Sequence, residues 1–139
     1  MGHQVAADIP ATQEAVVDFL TRKSVIFEIL GEEVHIPPVD EDAPDAFRVY
    51  VEFDTNYMRV EAVSMESDPS QMAGLTRALA RLDESHHEVK WGWSLTDLCC
   101  VACRVMQATP PSMSDFRTAF RRVREEMRNH LPELERFRA

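Results

Sequence analysis

The stretch from Val89 to Met106, VKWGWSLTDLCCVACRVM, constrains the fold of this 139-residue chain more than any other. Its first half alternates, with Val89, Trp91, Trp93 and Leu95 on one side of an extended strand and Lys90, Gly92 and Ser94 on the other. Thr96-Asp97 is a short polar break, and Leu98–Met106 is almost wholly apolar, interrupted by Arg104. Period-two alternation on both sides of such a break predicts a β-hairpin with one face against a core. Tryptophan is the largest apolar side chain available, so Trp91 and Trp93 are expected in the densest part of the interior.

The rest of the chain divides into segments of clear period. Thr12–Lys23 predicts a helix, with Ala15, Val16, Phe19 and Leu20 on one stripe and Pro10 just ahead of it. Ser24–Ile36 is extended: Val25, Phe27 and Ile29, a break at Gly31-Glu32-Glu33, then Val34, His35 and Ile36. Pro37-Pro38 ends it, and Val39–Ala46 (VDEDAPDA) is an acidic loop. Phe47–Met65 predicts a second hairpin. Phe47, Val49, Val51 and Phe53 alternate against Arg48, Tyr50 and Glu52, with Asp54-Thr55-Asn56-Tyr57 as the turn. Met58, Val60 and Ala62 then alternate against Arg59, Glu61 and Val63. The outward rows mix charges of both signs, which suits a solvated sheet face. Asp68-Pro69-Ser70-Gln71 is a helix start, and Met72, Leu75, Leu79 and Leu82 form the apolar stripe behind it. After Pro110-Pro111, Ser112 or Ser114 caps a long helix carrying Phe116, Ala119, Phe120, Val123, Met127 and Leu131 on one side, and Pro132 either kinks it or opens a last turn.

The predicted order is α-β-β-β-β-α-β-β-α, with hairpins and no βαβ repetition. This is an α+β fold, an antiparallel β-sheet with helices packed on one face. A single domain over residues 1–139 is expected, with residues 1–10 its candidate disordered end. No run reaches the ~18 apolar residues that a membrane span needs, and the N-terminus lacks a basic-then-apolar leader, so a cytoplasmic protein is expected. The net charge of −9 opposes non-specific binding to nucleic acid. From Asp115 onward seven Arg face five Asp or Glu, leaving residues 1–114 at −11. That makes a locally basic last helix, which is either a solvated face or a face for an acidic partner or second subunit.

Most candidate chemistry fails on geometry. Cys100-Val-Ala-Cys103 has CxxC spacing, but in a strand these two cysteines point to opposite faces. Cys99 and Cys103 share a face but lie about 13 Å apart at ~3.3 Å per residue. Neither pair can close a disulfide, which needs Cα atoms within ~7 Å, and no turn residue lets them share a metal. Buried free thiols are expected; a metal site from Cys99, Cys100, Cys103, His86 and His87 is the lesser alternative. Gly92-Trp93-Ser94-Leu95-Thr96 lacks the last glycine of a nucleophile elbow. Asp40–Val51 lacks the sixth-position glycine and the twelfth-position glutamate of a calcium loop. No glycine-rich phosphate loop is present. Neither an enzyme nor a cofactor is expected.

Seven methionines are more than packing requires. Met65, Met106 and Met113, with Val63, Cys100 and Ala102 on the outward rows of their strands, mark a candidate apolar patch for an extended peptide or partner subunit. Trp91 and Trp93 mark a candidate ligand pocket.

In this order the elements resemble the YbjN family of small bacterial proteins, which share the fold of type III secretion chaperones. The likeness spans nearly the whole chain. It is carried by the Val16–Leu20 helix, Val34-His35-Ile36-Pro37, the Val49–Val63 hairpin, the capped Asp68–Leu82 helix, and Leu98–Met106 leading into Ser114-Asp115-Phe116. The resemblance implies a chaperone-like α+β domain, described as a sensory transduction regulator, with no catalytic residues to carry over. Secretion chaperones of this fold are small, acidic, dimeric binders of extended segments. The expectation is therefore a non-enzymatic homodimeric module binding protein or peptide segments, with a small-ligand-sensing regulator as the alternative.

Overall fold

A computed structural model describes residues 9–43, 45–85, 88–94, 100–108 and 110–139. Helix α1 (Gln13–Arg22) begins where Thr12 caps it, the hydroxyl accepting from the Ala15 amide at 3.2 Å. Ser24, at φ 57°, takes the left-handed conformation that commonly terminates a helix and turns the chain into the sheet. Strands β1 (Glu28–Leu30) and β2 (Glu33–Ile36) form a tight hairpin, with Gly31 at φ +63° supplying the positive dihedral the turn requires. Strands β3 (Phe47–Phe53) and β4 (Tyr57–Glu66) form the second hairpin; the turn is Asp54-Thr55-Asn56, and Tyr57, expected in the turn, begins β4.

A 3-10 turn (Pro69–Gln71), with the Asp68 side chain accepting from the Ser70 amide, opens helix α2 (Met72–Ser85). Strands β5 (Lys90–Trp93) and β6 (Cys100–Ala108) are antiparallel neighbours, as the alternation over Val89–Met106 predicts; the Thr96-Asp97 turn lies outside the described residues. Ser112 and Asp115 cap helix α3 (Met113–Leu134) reciprocally, the hydroxyl accepting from the Asp115 amide and the carboxylate from the Ser112 amide. Pro132 lies inside α3, which gives way to a last 3-10 turn, Glu135–Phe137.

The six strands form one antiparallel sheet in the order β1-β2-β3-β4-β6-β5. Helix α3 lies across β4 and β6, α2 against β5, and α1 against β2, all on one side. The helical stripes are the predicted ones: Val16 and Leu20 of α1, Leu75 and Leu79 of α2, and Phe116, Val123, Met127 and Leu131 of α3 are 3% exposed or less. Each such side chain contributes about 1.5–3 kcal/mol on burial. They meet the inward row of the sheet, Val34, Val51, Val60, Val105 and Cys103, as the period-two pattern requires. The α+β arrangement is the expected one, with helices on one face and hairpins throughout.

The outward face differs from expectation in one respect. Arg59 and Glu61, expected in a solvated mixed-charge row, are 9% and 2% exposed. Both sit on β4, with β3 on one side and β6 on the other, so side chains of two strands stand beside each of them.

Candidate functional site

On the face away from the helices, the register sets two polar rows across the sheet. One runs Glu28, His35, Tyr50, Glu61, Arg104 and Lys90 through all six strands. The other runs Leu30, Glu33, Glu52, Arg59 and Met106. Glu52 is the best satisfied acid of the group: Arg59 Nη2 lies 2.6 Å from it and the Tyr57 hydroxyl donates to it at 2.9 Å. That bond holds the Tyr57 phenol above its ordinary range. The His35 ring stacks on Tyr50 at 4.7 Å between centroids, and its Nδ1 meets the Glu28 carboxylate.

Glu61 is less well served. Its Oε2 lies 3.7 Å from Arg104 Nη1 and makes no hydrogen bond; Arg59 Nε and His35 Nε2 are likewise buried without one. Burial pushes the Glu61 carboxyl above its usual range, with Arg59 and Arg104 opposing. Glu33 is raised for the same reason, and the neighbouring Glu52 carboxylate adds to it. Along the two rows four carboxylates, Glu28, Glu33, Glu52 and Glu61, stand with three cations, Arg59, Arg104 and Lys90, which leaves them one cation short. Chemically this surface offers charged and hydrogen-bonding groups to whatever meets it.

The edge of the sheet supplies the apolar part. Among the described residues strand β1 has a neighbour on one side only, and Ile26, Ile29 and Leu30 are 77%, 54% and 51% exposed. Ile29 is on the helix side of the sheet, where alternation places it, yet β1 is outermost and lies beyond the cover of the helices. Its turn is tied back to α1 by the Gln13 amide, which donates to the Gly31 carbonyl at 2.8 Å.

The six residues marked as an apolar patch do not form one surface. Val63 and Ala102 are cross-strand neighbours on the outward face, each 2% exposed. Met106, exposed, lies four residues further along β6, about 13 Å away. Cys100 is half-buried opposite Glu66. Met65 belongs to the core: the bulge between Ser64 and Glu66, with Met65 at φ 57°, turns its side chain to the helix side. Met113 opens α3 and is also in the core. Trp91 is packed edge-to-face on His130 at 5.8 Å, and Trp93 is half-buried beside Val101. Neither lines the pocket between α2 and the last 3-10 turn.

Cys103 is fully buried, its thiol 3.5 Å from the Val123 carbonyl it donates to, and its pKa is pushed far up by burial. Cys99, His86 and His87 of the metal alternative lie outside the described residues. Among the described residues no three His, Cys, Asp or Glu side chains are placed to hold an ion. The basic character of the last helix resolves into Arg117, Arg121, Arg124 and Arg128, an exposed stripe at spacings of four, three and four.

The features that sequence reasoning missed are the acidic row and the exposed β1 edge. The Ile29-Leu30 pair, apolar on both faces of one short strand, is the signal that could have indicated an edge.

No protein-family model matches the sequence, and no curated protein sequence matches it. Among the described residues no helix is long and apolar enough to cross a membrane. Among solved structures, the chain is similar to the crystal structure of YbjN from E. coli, described there as "a putative transcription regulator". The TM-score is 0.69 at 15% identity, covering 90% of this chain and 92% of that one. The fold expected from the order of the elements is therefore found, and the chain carries the fold of YbjN.

Proposed function

We propose that the chain is a non-enzymatic binding module of regulatory type, which takes an extended protein or peptide segment as an added strand along β1. The observation that carries this reading is the apolar edge of the sheet at Ile29 and Leu30, open among the described residues, with exposed Ile26 just ahead of it. A free edge presents N–H and C=O groups to a further strand, and natural proteins normally blunt it with charge or cover. Here the edge is apolar and short. The segment that suits it alternates: apolar residues beside Ile29, and basic residues on the outward side, where Glu28 and Glu33 stand next to the cation-poor row. The same edge is also self-complementary, Ile29 facing Ile29 across a two-fold axis, so the module forms a homodimer when no segment occupies it.

The test is amide-resolved NMR of the full chain titrated with an unstructured Val/Lys-alternating decapeptide, alongside its Val/Glu counterpart. Saturable shifts confined to β1 and β2 with the basic peptide, absent in Ile29→Lys, support the reading. Equal binding of both peptides, or shifts that survive Ile29→Lys, would overturn it. Sedimentation velocity on the wild type and Ile29→Lys checks the dimer: dissociation by the variant is the expected result.

A further inference from the structure

We propose that the pocket between α2 and the C-terminal 3-10 turn binds the phosphoryl group of a small organic phosphate. The pocket has a volume of about 280 Å³ and is lined by Gly74, Arg77, Ala78, Arg81, Arg136 and Phe137. No acidic residue lines it, although the chain as a whole carries −9.

Arg77 and Arg81 stand one helical turn apart on α2, a like-charge pair that weakens an isolated helix. The other positions three and four residues from Arg77 are Ala73, Gly74 and Ala80, none of which can neutralise it. Glu84, three residues beyond Arg81, makes no ion pair with it among the described residues. The acid beside Arg136, Glu135, is already engaged by Arg138, with Nε and Nη2 each 2.7 Å from a carboxylate oxygen. The guanidinium groups of Arg77, Arg81 and Arg136 thus make no hydrogen bond or ion pair among the described residues.

The third guanidinium is held in place. Phe137, 5% exposed, lies against α2 where Gly74 has no side chain, and the Arg136 guanidinium covers its ring, 4.7 Å from the centroid. The turn itself is fastened by the Asp68 amide donating to the Phe137 carbonyl and the Ala139 amide donating to Glu66, both at 2.8 Å. A guanidinium stacked on an aromatic ring keeps its N–H edge free, and planar forks match phosphoryl oxygens. Three such forks without a counter-charge call for a dianion. The volume, near the lower end of the range for ligand sites, leaves room for a small organic remainder beyond the phosphoryl group. On an acidic protein this positive concavity is where such an anion is drawn.

The experiment is a titration of the full chain, read by amide NMR, with glycerol 3-phosphate, inorganic phosphate and, at matched ionic strength, sodium chloride. The expected result is saturable shifts at Gly74, Ala78, Arg136 and Phe137 with glycerol 3-phosphate. Affinity should fall at least about tenfold in the Arg77→Ala/Arg81→Ala variant, since each charge-assisted hydrogen bond accounts for that much. These substitutions are exposed, so the variant's melting temperature should stay within about 2 °C of wild type. Absence of saturable shifts with either phosphate, the same shifts with chloride, or undiminished affinity in a folded double variant would each overturn the proposal. Inorganic phosphate binding as tightly as glycerol 3-phosphate would overturn the organic part of the assignment. Because Ile29→Lys leaves this pocket intact, the outcome is independent of the β1 reading.

Discussion

Replacing Gly74 by alanine should lower stability, the reverse of its usual effect in a helix. In an exposed helix interior alanine is favoured over glycine by about 0.8–1.0 kcal/mol. At position 74, however, an added Cβ meets Phe137 Cε1 at 3.0 Å, with Cζ at 3.7 Å and Cδ1 at 3.9 Å. The ring cannot easily retreat, because hydrogen bonds flank it on the chain and Arg136 covers it. Overpacking of this kind costs about 1–3 kcal/mol, so Gly74→Ala should be destabilising by about 1 kcal/mol, or about 4 °C in melting temperature for a chain of this length. Phe137→Ala removes a buried ring and should cost about 3 kcal/mol. In that background the obstruction is gone, and Gly74→Ala should then stabilise by about 1 kcal/mol. The coupling energy of the double-mutant cycle is thus about 2 kcal/mol, well above the scatter for independent sites. Urea denaturation followed by far-ultraviolet circular dichroism on the four proteins measures it. If Gly74→Ala stabilises both backgrounds equally, the C-terminal turn does not rest on α2 and the arginine pocket loses its third wall.

Two further predictions concern buried titratable groups. Burial raises the Glu61 carboxyl, so the native state holds its proton to higher pH than the unfolded chain does. The cost of the charged form is absent well below pH 4.5 and fully present once pH exceeds the native pKa. Glu61→Gln should therefore match wild type in acid and gain on it as pH rises toward 8, read from urea midpoints across that range. A glutamine variant less stable at pH 8 would mean that Arg104 and Arg59 outweigh desolvation. Cys103, fully buried, should resist alkylation by iodoacetamide at pH 8 until denaturant is added, whereas half-buried Cys100 reacts first. Mass spectrometry of the labelled chain separates the two, and equal native rates would refute the packing described for β6.

The features legible in the sequence were those that depend on near neighbours along the chain. Asp68 and Ser112 cap their helices because a side-chain oxygen reaches an amide two or three residues away. Val49, Val51, Val60 and Ala62 face inward because alternation is a property of one strand. The face of Met65 was not legible, since a bulge at Ser64/Glu66 reverses the alternation by one residue. Nor was the burial of Glu61: its exposure depends on β3 and β6 standing on either side of β4, and no spacing within β4 encodes that.

By itself the sequence determined the order of elements, the caps of the second and third helices and the stripe each helix presents, since period and capping act over a few residues. Only the tertiary structure decided that β6 rather than β5 lies beside β4, that β1 is the outermost strand among the described residues, and that Arg136 meets Arg77 and Arg81 across some sixty residues. Those outcomes are settled by which hydrophobic faces can cover one another at once. That is a condition on the whole chain, and no local stretch carries it.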